Sequence, residues 1–382
     1  MGHLSSVSLK PSEAEAIQNF QDASSGQQNE QNQSKPRLRR MDRDRSRGRL
    51  SIIACNSGEG FAERMSQHLN ELIGEHTATC HRTSKEVFFS NKEVKTVIED
   101  NIRGDDVYVV QCMDDPLSRH ERSTNDNLMA LCTALDAAYN SDADRITAVI
   151  PQYPYSRQER KKGRESITAR QIATFLEASG ADRVITLDIH AEPIEGFFRQ
   201  AHFENVHASH TIIEYIRHHL APIPDLTVVA PDVGSVERAR YYSRELKADL
   251  AVVDKVRDYS RPSSIESVRL IGNVEGRNII IADDMIATGG TIVNAARLLR
   301  SKGAKKIYLA CSLPYFNGSA VEKLDQAYQD GIIEKVIGTD AVYHGPEFMA
   351  KHEWYAEVSI AELFARVIYN INNRLSVSEL LK

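Results

Sequence analysis

The 382-residue chain lacks the marks of several large functional classes. No apolar run approaches membrane-spanning length and no secretory signal opens it, so no membrane partner is expected. Cysteine is scarce. Cys55, Cys80, Cys112, Cys132 and Cys311 are odd in number and show no Cys-x-x-Cys spacing, the usage expected of free thiols in a reducing, cytoplasmic compartment. Thirteen histidines form no His-Glu-x-x-His pattern, and His218-His219 are expected on the solvated side of a helix. There is no Gly-x-x-x-x-Gly-Lys-Ser/Thr, and no Gly-x-Gly-x-x-Gly follows a strand, which excludes a Walker loop and a dinucleotide fingerprint. A formal net charge of −6 argues against a nucleic-acid partner.

What is present is an ordinary globular composition, 41% hydrophobic and 26% charged, on a chain long enough for two domains and a large core. Residues 1–48 stand apart: Gln, Ser, Asn and Glu dominate up to Ser34, and Lys35 to Arg49 is arginine-rich. With few aromatics and little apolar periodicity to offset ordering entropy, this stretch is expected to be a disordered N-terminal extension. From Leu50 short apolar strands alternate with amphipathic helices, the pattern of a mainly parallel sheet flanked by helices. The order repeats. Strands at 107–111, 145–150 and 183–187 enclose helices at 126–139 and 168–179. Strands at 278–282, 306–312 and 334–337 enclose helices at 290–302 and 318–329. Two copies of one α/β domain follow, over 49–202 and 203–382.

The densest chemical signal lies in the second copy. Ile279-Ile280-Ile281-Ala282 reads as a buried strand ending in Asp283 and Asp284. A small-residue loop through Ala287, Thr288, Gly289 and Gly290 then opens a helix at Thr291. Paired glycines admit a ligand close to the backbone, and a helix start favours an anion. Thr288 and Thr291 add hydroxyl donors, while the aspartates accept from sugar hydroxyls or hold hydrated Mg2+. A loop gripping phosphate at one end and a diol at the other suits ribose 5-phosphate. The matching place in the first copy, Asp114-Asp115-Pro116-Leu117-Ser118-Arg119, lacks the glycines.

Other strand ends carry polar groups. Arg157 and Gln158 follow a buried strand, where ligands bind in open α/β sheets; Arg157 suits a phosphate and Gln158 a base or sugar. Asp188 and His190 end another strand, and Asp232-Val233-Gly234-Ser235 ends a third with a carboxylate and a phosphate-friendly turn. Of His190 and Asp232, the carboxylate is the easier Mg2+ ligand. Lys255 and Arg257, at alternate positions leading into a polar loop, offer two cations to phosphoryl chemistry, whose transition state is stabilised mainly by charge and positioning.

These segments in order resemble the ribose-phosphate pyrophosphokinase (phosphoribosyl pyrophosphate synthetase) family from about Leu50 to Glu379. The resemblance rests on Phe89-Ser90-Asn91-Lys92-Glu93, Asp126-Asn127-Leu128-Met129, Pro154-Tyr155-Ser156-Arg157-Gln158, Asp188-Ile189-His190-Ala191 with Gly196-Phe197-Phe198, Pro231-Asp232-Val233-Gly234, Lys255-Val256-Arg257 and the Asp283–Thr291 loop. It implies two tandem type I phosphoribosyltransferase-like domains in a homo-oligomer, a hexamer built from dimers. The implied reaction is attack of the C1 hydroxyl of ribose 5-phosphate on the β-phosphorus of Mg2+-ATP, giving phosphoribosyl pyrophosphate and AMP.

By the same resemblance Phe89, Asn91 and Glu93 contact ATP held by a neighbouring subunit, and Arg157 and Gln158 also contact ATP. His190 and Asp232 serve the metal, and Lys255 and Arg257 close over the reacting phosphates. Asp283 and Asp284 address the ribose hydroxyls, and Thr288, Gly289, Gly290 and Thr291 the 5-phosphate. The chain departs from the family pattern at Ala287, where an aspartate is usual, at Ser235, which replaces the second glycine of Asp-x-Gly-Gly, and at Asn101, where a serine is usual. Two rival readings are a salvage phosphoribosyltransferase and a catalytically silent regulatory subunit. The duplicated domain and the Arg157-Gln158 segment disfavour the first. The retained Lys255, Arg257, His190 and Asp232 disfavour the second.

Overall fold

The computed structural model describes residues 47–74, 80–117, 122–220, 222–256 and 267–380. The extension expected over residues 1–48 lies, but for its last two residues, outside them. The first lobe opens with β1 (Leu50–Ala54) and α1 (Glu59–Ile73). The strands β2 (His81–Arg82), β3 (Ser84–Phe88), β4 (Val94–Ile98) and β5 (Asp106–Val110) follow. Then come α2 (Thr124–Asn140), β6 (Arg145–Ile150), α3 (Thr168–Ala178), β7 (Arg183–Leu187) and β8 (His202–Val206). Its six-stranded sheet has the order β2-β1-β5-β6-β7-β8 with every neighbouring pair parallel, and β3–β4 form a separate antiparallel hairpin. Because β8 pairs with β7, this first sheet extends to residue 206.

The second lobe comprises α4 (Ser209–His219), β9 (Leu226–Ala230), α5 (Val236–Leu246), β10 (Asp249–Val256), β11 (Ser267–Ile271) and β12 (Asn278–Met285). It continues with α6 (Gly290–Ser301), β13 (Ile307–Leu313), α7 (Ala320–Gln329), β14 (Lys335–Thr339), α8 (Gly345–Lys351), β15 (Tyr355–Val358) and α9 (Ala361–Asn372). Its seven strands run β11-β10-β9-β12-β13-β14-β15, parallel except for the β10–β11 edge pair. The repeat seen in the sequence is therefore architectural: two mainly parallel sheets flanked by helices. Strands such as β5 and β13 are buried at every position, as a sheet covered on both faces requires.

Most expected elements fall within two residues of their observed bounds. Helix α2 begins earlier, at Thr124, because Ser123 and Asp126 form a reciprocal capping box: Asp126 accepts from the Ser123 amide at 2.8 Å and the Ser123 hydroxyl from the Asp126 amide at 3.2 Å. The larger correction is β12. It does not stop at Ala282 but runs through Asp283 and Asp284 to Met285, since Asp283 pairs with Cys311 and Met285 with Leu313 of β13. All five cysteines are free thiols, four of them buried. His218 and His219 are exposed, as expected.

One apolar core crosses both lobes. Ile52, Phe61, Met65 and Leu69 of the first pack with Phe364, Ile368 and Ile371 of the second, and Phe61 meets Phe364 edge-on at 5.3 Å between ring centroids. Arg64 of α1 donates through Nε to Asp340 Oδ2 at 3.0 Å, and Asp340 also accepts from the Ser359 hydroxyl and the Ile360 amide.

Nearby, burial pushes the Glu357 carboxyl up to about 7 against a weaker opposing hydrogen bond from the His344 amide, and the Asp340 charge adds to the rise. A carboxyl whose folded pKa lies above its unfolded value supports folding at low pH and progressively loses that contribution as pH rises through about 7. Glu357→Gln should therefore leave the melting temperature near pH 4 unchanged and raise it at pH 8. The expected gain is about 2 °C, from about 1 kcal/mol after allowing for partial exposure. Calorimetry at the two pH values measures it, and an equal shift at both would remove the titration as the cause.

Candidate active site between the lobes

The polar ends of β7, β9 and β12 meet where the two lobes face each other. Three apolar strands deliver them: Val184–Leu187, Val228–Ala230 and Ile279–Ala282 are fully buried, so the first residues able to carry charge sit at the carboxyl ends. His190, just beyond β7, places Nδ1 2.6 Å from Asp284 Oδ2 at the end of β12, joining residues 94 apart in the chain. Asp284 itself is buried. That contact raises the His190 pKa despite burial. Asp284 in turn stays below the usual carboxylate range: burial would raise it, but the His190 hydrogen bond and the Arg238 guanidinium outweigh that. Asp283, beside it, is pushed up by burial and by the Asp284 charge.

Arg238, in the first turn of α5, reaches between the acids. Its Nη1 lies 3.9 Å from Asp284 Oδ1 and its Nη2 lies 3.8 Å from Asp188 Oδ1. Asp188 is buried and adopts a left-handed backbone, φ 39°, which a non-glycine residue keeps only when its surroundings hold it there. They do. Asp188 accepts from His207 Nδ1 at 2.8 Å, from the Ala208 amide at 3.0 Å and from the Ser312 hydroxyl of β13. Burial would raise its carboxyl, but the His207 bond, Arg238 and Ser312 bring it down to about 2. Asp188 is thus a fixed anion that ties the end of β7 to the second lobe and sets where His190 begins.

Asp232, at the end of β9, accepts through Oδ1 from the Ser235 amide and hydroxyl, each at 3.0 Å. The same hydroxyl lies 3.1 Å from Asp283 Oδ1. Arg157 comes from the first lobe and donates through Nε and Nη2 to Met285 Sδ, at 3.0 and 2.6 Å. Thioether sulfur is a weak acceptor, so a guanidinium resting on it is weakly held and available to a better one. Gln158 is exposed beside it.

The small-residue loop opens α6 as its composition predicts. Gly289 is the N-cap with φ 71°, a conformation that favours glycine, and the cap carries no side-chain hydrogen bond, so the first-turn amides have no side-chain acceptor. The loop is braced from outside by the Phe316 and Asn317 amides, which donate to the Ile286 and Ala287 carbonyls at 3.0 and 2.8 Å. Lys323 Nζ donates to the Thr288 carbonyl at 2.9 Å. Thr288 and Thr291 are exposed, and Gly290 begins the helix.

Not every predicted residue joins this cluster. Phe89, Asn91 and Glu93 form the tip of the β3–β4 hairpin. The Phe89 amide donates to the Glu93 carbonyl at 2.9 Å, the Glu93 amide donates to Asn91 Oδ1 at 3.2 Å, and the Phe89 ring is 49% exposed. These hydrogen bonds stay within that turn. Lys255 lies in β10, paired with Val268 of β11, at the sheet edge; its side chain and Arg257 lie outside the described residues. Sequence reasoning missed Arg238, Ser235 as a link between acids, and Lys323. The one signal for Arg238 is its place in the first turn of the helix that follows the Asp232–Ser235 turn.

The donor set fits a hard divalent cation. Asp232, Asp283 and Asp284 offer carboxylate oxygens, the donors such an ion takes, beside one guanidinium and one imidazole. Among the described residues no group of three or more His, Cys, Asp or Glu side chains is arranged to hold a metal by itself.

Two mainly parallel α/β lobes, one carrying a Gly-Gly loop after paired aspartates, define a phosphoribosyltransferase-type protein. Residues 50–180 match the family described as the N-terminal domain of ribose phosphate pyrophosphokinase, and residues 202–344 match the phosphoribosyl transferase domain. The chain is 37% identical to a ribose-phosphate pyrophosphokinase of Chlorobaculum tepidum, an alignment covering 87% of this chain and 94% of that one. It is also 37% identical to ribose-phosphate pyrophosphokinase 1 of Listeria innocua, over 87% and 98% of the two chains. The crystal structure of phosphoribosylpyrophosphate synthetase from Mycobacterium smegmatis superposes with a TM-score of 0.74 at 31% identity, covering 85% of this chain and 99% of that one. The chain belongs to the ribose-phosphate pyrophosphokinase family.

Proposed function

We propose that the chain transfers the pyrophosphoryl group of ATP to ribose 5-phosphate with the inter-lobe cluster as its active site. The meeting of His190 and Asp284 carries the reading: it joins the strand end expected to serve ATP to the strand end expected to serve the sugar. The C1 hydroxyl oxygen bonds to the β-phosphorus, the bond from that phosphorus to the α,β-bridging oxygen breaks, and AMP leaves while the hydroxyl proton is released. Gly289, Gly290, Thr288 and Thr291 receive the 5-phosphate at the open start of α6. Asp283 and Asp284 accept from ribose hydroxyls. Arg157 leaves Met285 for a phosphate oxygen of ATP, a far better acceptor than sulfur, and Gln158 contacts the same nucleotide.

Asp232 and His190 would hold a divalent ion, Mg2+, at the site. When bound, that ion would supply charge neutralisation at the transferring phosphates. Lys255 and Arg257 close over them. Phe89, Asn91 and Glu93, exposed on their hairpin and apart from their own cluster, serve the ATP of a neighbouring subunit in a hexamer built from dimers. Five free thiols support a cytoplasmic setting, and among the described residues no helix is long and apolar enough to cross a membrane.

The test is AMP formation from ATP by the purified full-length chain. AMP should appear only when ribose 5-phosphate and a divalent cation are both present. Release of pyrophosphate that depends on an added nucleobase would establish a salvage phosphoribosyltransferase instead. A chain inert at every metal and phosphate concentration would favour the silent subunit.

A further inference from the structure

Ser235 stands at the junction of the two halves of the site. It is buried, it ends the short 3-10 turn Val233–Ser235, and its hydroxyl lies 3.0 Å from Asp232 Oδ1 and 3.1 Å from Asp283 Oδ1. A serine hydroxyl carries one hydrogen and can donate to one acceptor at a time. Both of its neighbours here are carboxylate oxygens, so at any instant one of them lacks the donor. The Ser235 amide is already committed to Asp232 Oδ1 at 3.0 Å, which leaves Asp232 held even when the hydroxyl turns away. Asp283 has its own backbone support, the Asp284 amide at 2.9 Å. The hydroxyl is the only hydrogen-bonding side chain that touches both acids among the described residues. A glycine here, as in the family pattern, would leave the two carboxylates without that link.

We infer that Ser235 is a positioning residue that couples divalent-cation binding at Asp232 to ribose 5-phosphate binding at Asp283. The inference rests on the assignment of Asp232 to the cation and Asp283 to the sugar made above. A cation on Asp232 takes over the electrostatic work of the hydroxyl hydrogen there. The hydroxyl then turns fully to Asp283 Oδ1, fixes that carboxylate and leaves its Oδ2 for a sugar hydroxyl. Because coupling between two sites is reciprocal, the sugar must tighten the cation by the same factor as the cation tightens the sugar.

Substitution at Ser235 is structurally mild: its side chain makes no capping bond to α5, and its backbone amide bond to Asp232 survives in alanine. The experiment measures Mn2+ affinity of the full-length chain by electron paramagnetic resonance, with and without ribose 5-phosphate. α,β-Methylene-ATP, which cannot transfer its pyrophosphoryl group, is present in both arms. In the wild type, ribose 5-phosphate should tighten Mn2+ by at least about five-fold. Ser235→Ala should bring that ratio to about one while each ligand still binds, and Ser235→Thr, which keeps a hydroxyl, should restore it. An unchanged ratio in Ser235→Ala, or no coupling in the wild type, overturns the inference, even if the variant melts at a lower temperature. Asp283→Asn separates the two levels: if it binds ribose 5-phosphate as tightly as the wild type, the assignment of Asp283 to the sugar fails on its own account.

Discussion

Asp284→Asn should lower kcat/KM for ribose 5-phosphate about 10³-fold while the protein stays folded. The magnitude follows from what this buried carboxylate holds in place. It accepts from His190 Nδ1 at 2.6 Å and faces Arg238 at 3.9 Å, so it ties the first lobe's imidazole and the second lobe's guanidinium to one point. An amide of the same shape loses the charge, weakens both contacts and leaves Asp188 as the one carboxylate within 4 Å of Arg238 among the described residues. Under the proposed function it also withdraws one of the two acceptors offered to the ribose hydroxyls, an interaction made in both the ground and transition states, so that part of the loss should appear in KM.

A titration separates this from general damage. Asp284 stabilises the protonated imidazole, so in the wild type His190 keeps its proton to higher pH than an ordinary histidine, and in Asp284→Asn it should lose it at lower pH. Proton NMR of the His190 ring reads the change directly. Activity within ten-fold of wild type would remove Asp284 from the site, and an unmoved His190 titration would remove the contact.

Lys255→Ala should cut kcat by about 10²-fold or more with little change in the KM of either substrate. Lys255 sits on β10 opposite Val268 of β11, one register position short of the end of an antiparallel edge pair. It lies near the carboxyl end of β10, the end at which the parallel strand β9 beside it, and β12 next to β9, present Asp232 and Asp283. In the proposed reaction the Lys255 cation would meet negative charge that grows on the transferring phosphates only as the reaction proceeds, which is why its loss should appear in kcat. Stopped-flow measurement of AMP release at saturating substrates checks it. A variant with full turnover would exclude Lys255 from the chemistry.

Much of this architecture is legible in the amino-acid sequence. Period-two and period-3.6 patterning places β6 and β7 to the residue and α3 and α6 to within one, because buried strands and amphipathic helices are set by local apolar spacing. The Gly289 turn is readable for the same local reason, since a left-handed cap followed by a helix selects glycine. The end of β12 is not. Asp283, Asp284 and Met285 read as a strand terminus, yet pairing with Cys311 and Leu313 carries the strand through them, and ladder partners 28 residues away leave no trace in local composition.

The class of fold, the order of the chemical segments and the loop that opens α6 are therefore properties of the chain read residue by residue, because each depends on groups within a few positions of one another. Which strand ends face each other is a property of the folded molecule alone. His190 with Asp284, Arg238 between Asp188 and Asp284, and Ser235 between Asp232 and Asp283 join residues as much as 94 positions apart. Such contacts arise from how parallel strands order themselves and how two lobes share one core around Phe61 and Phe364, and no local periodicity encodes that.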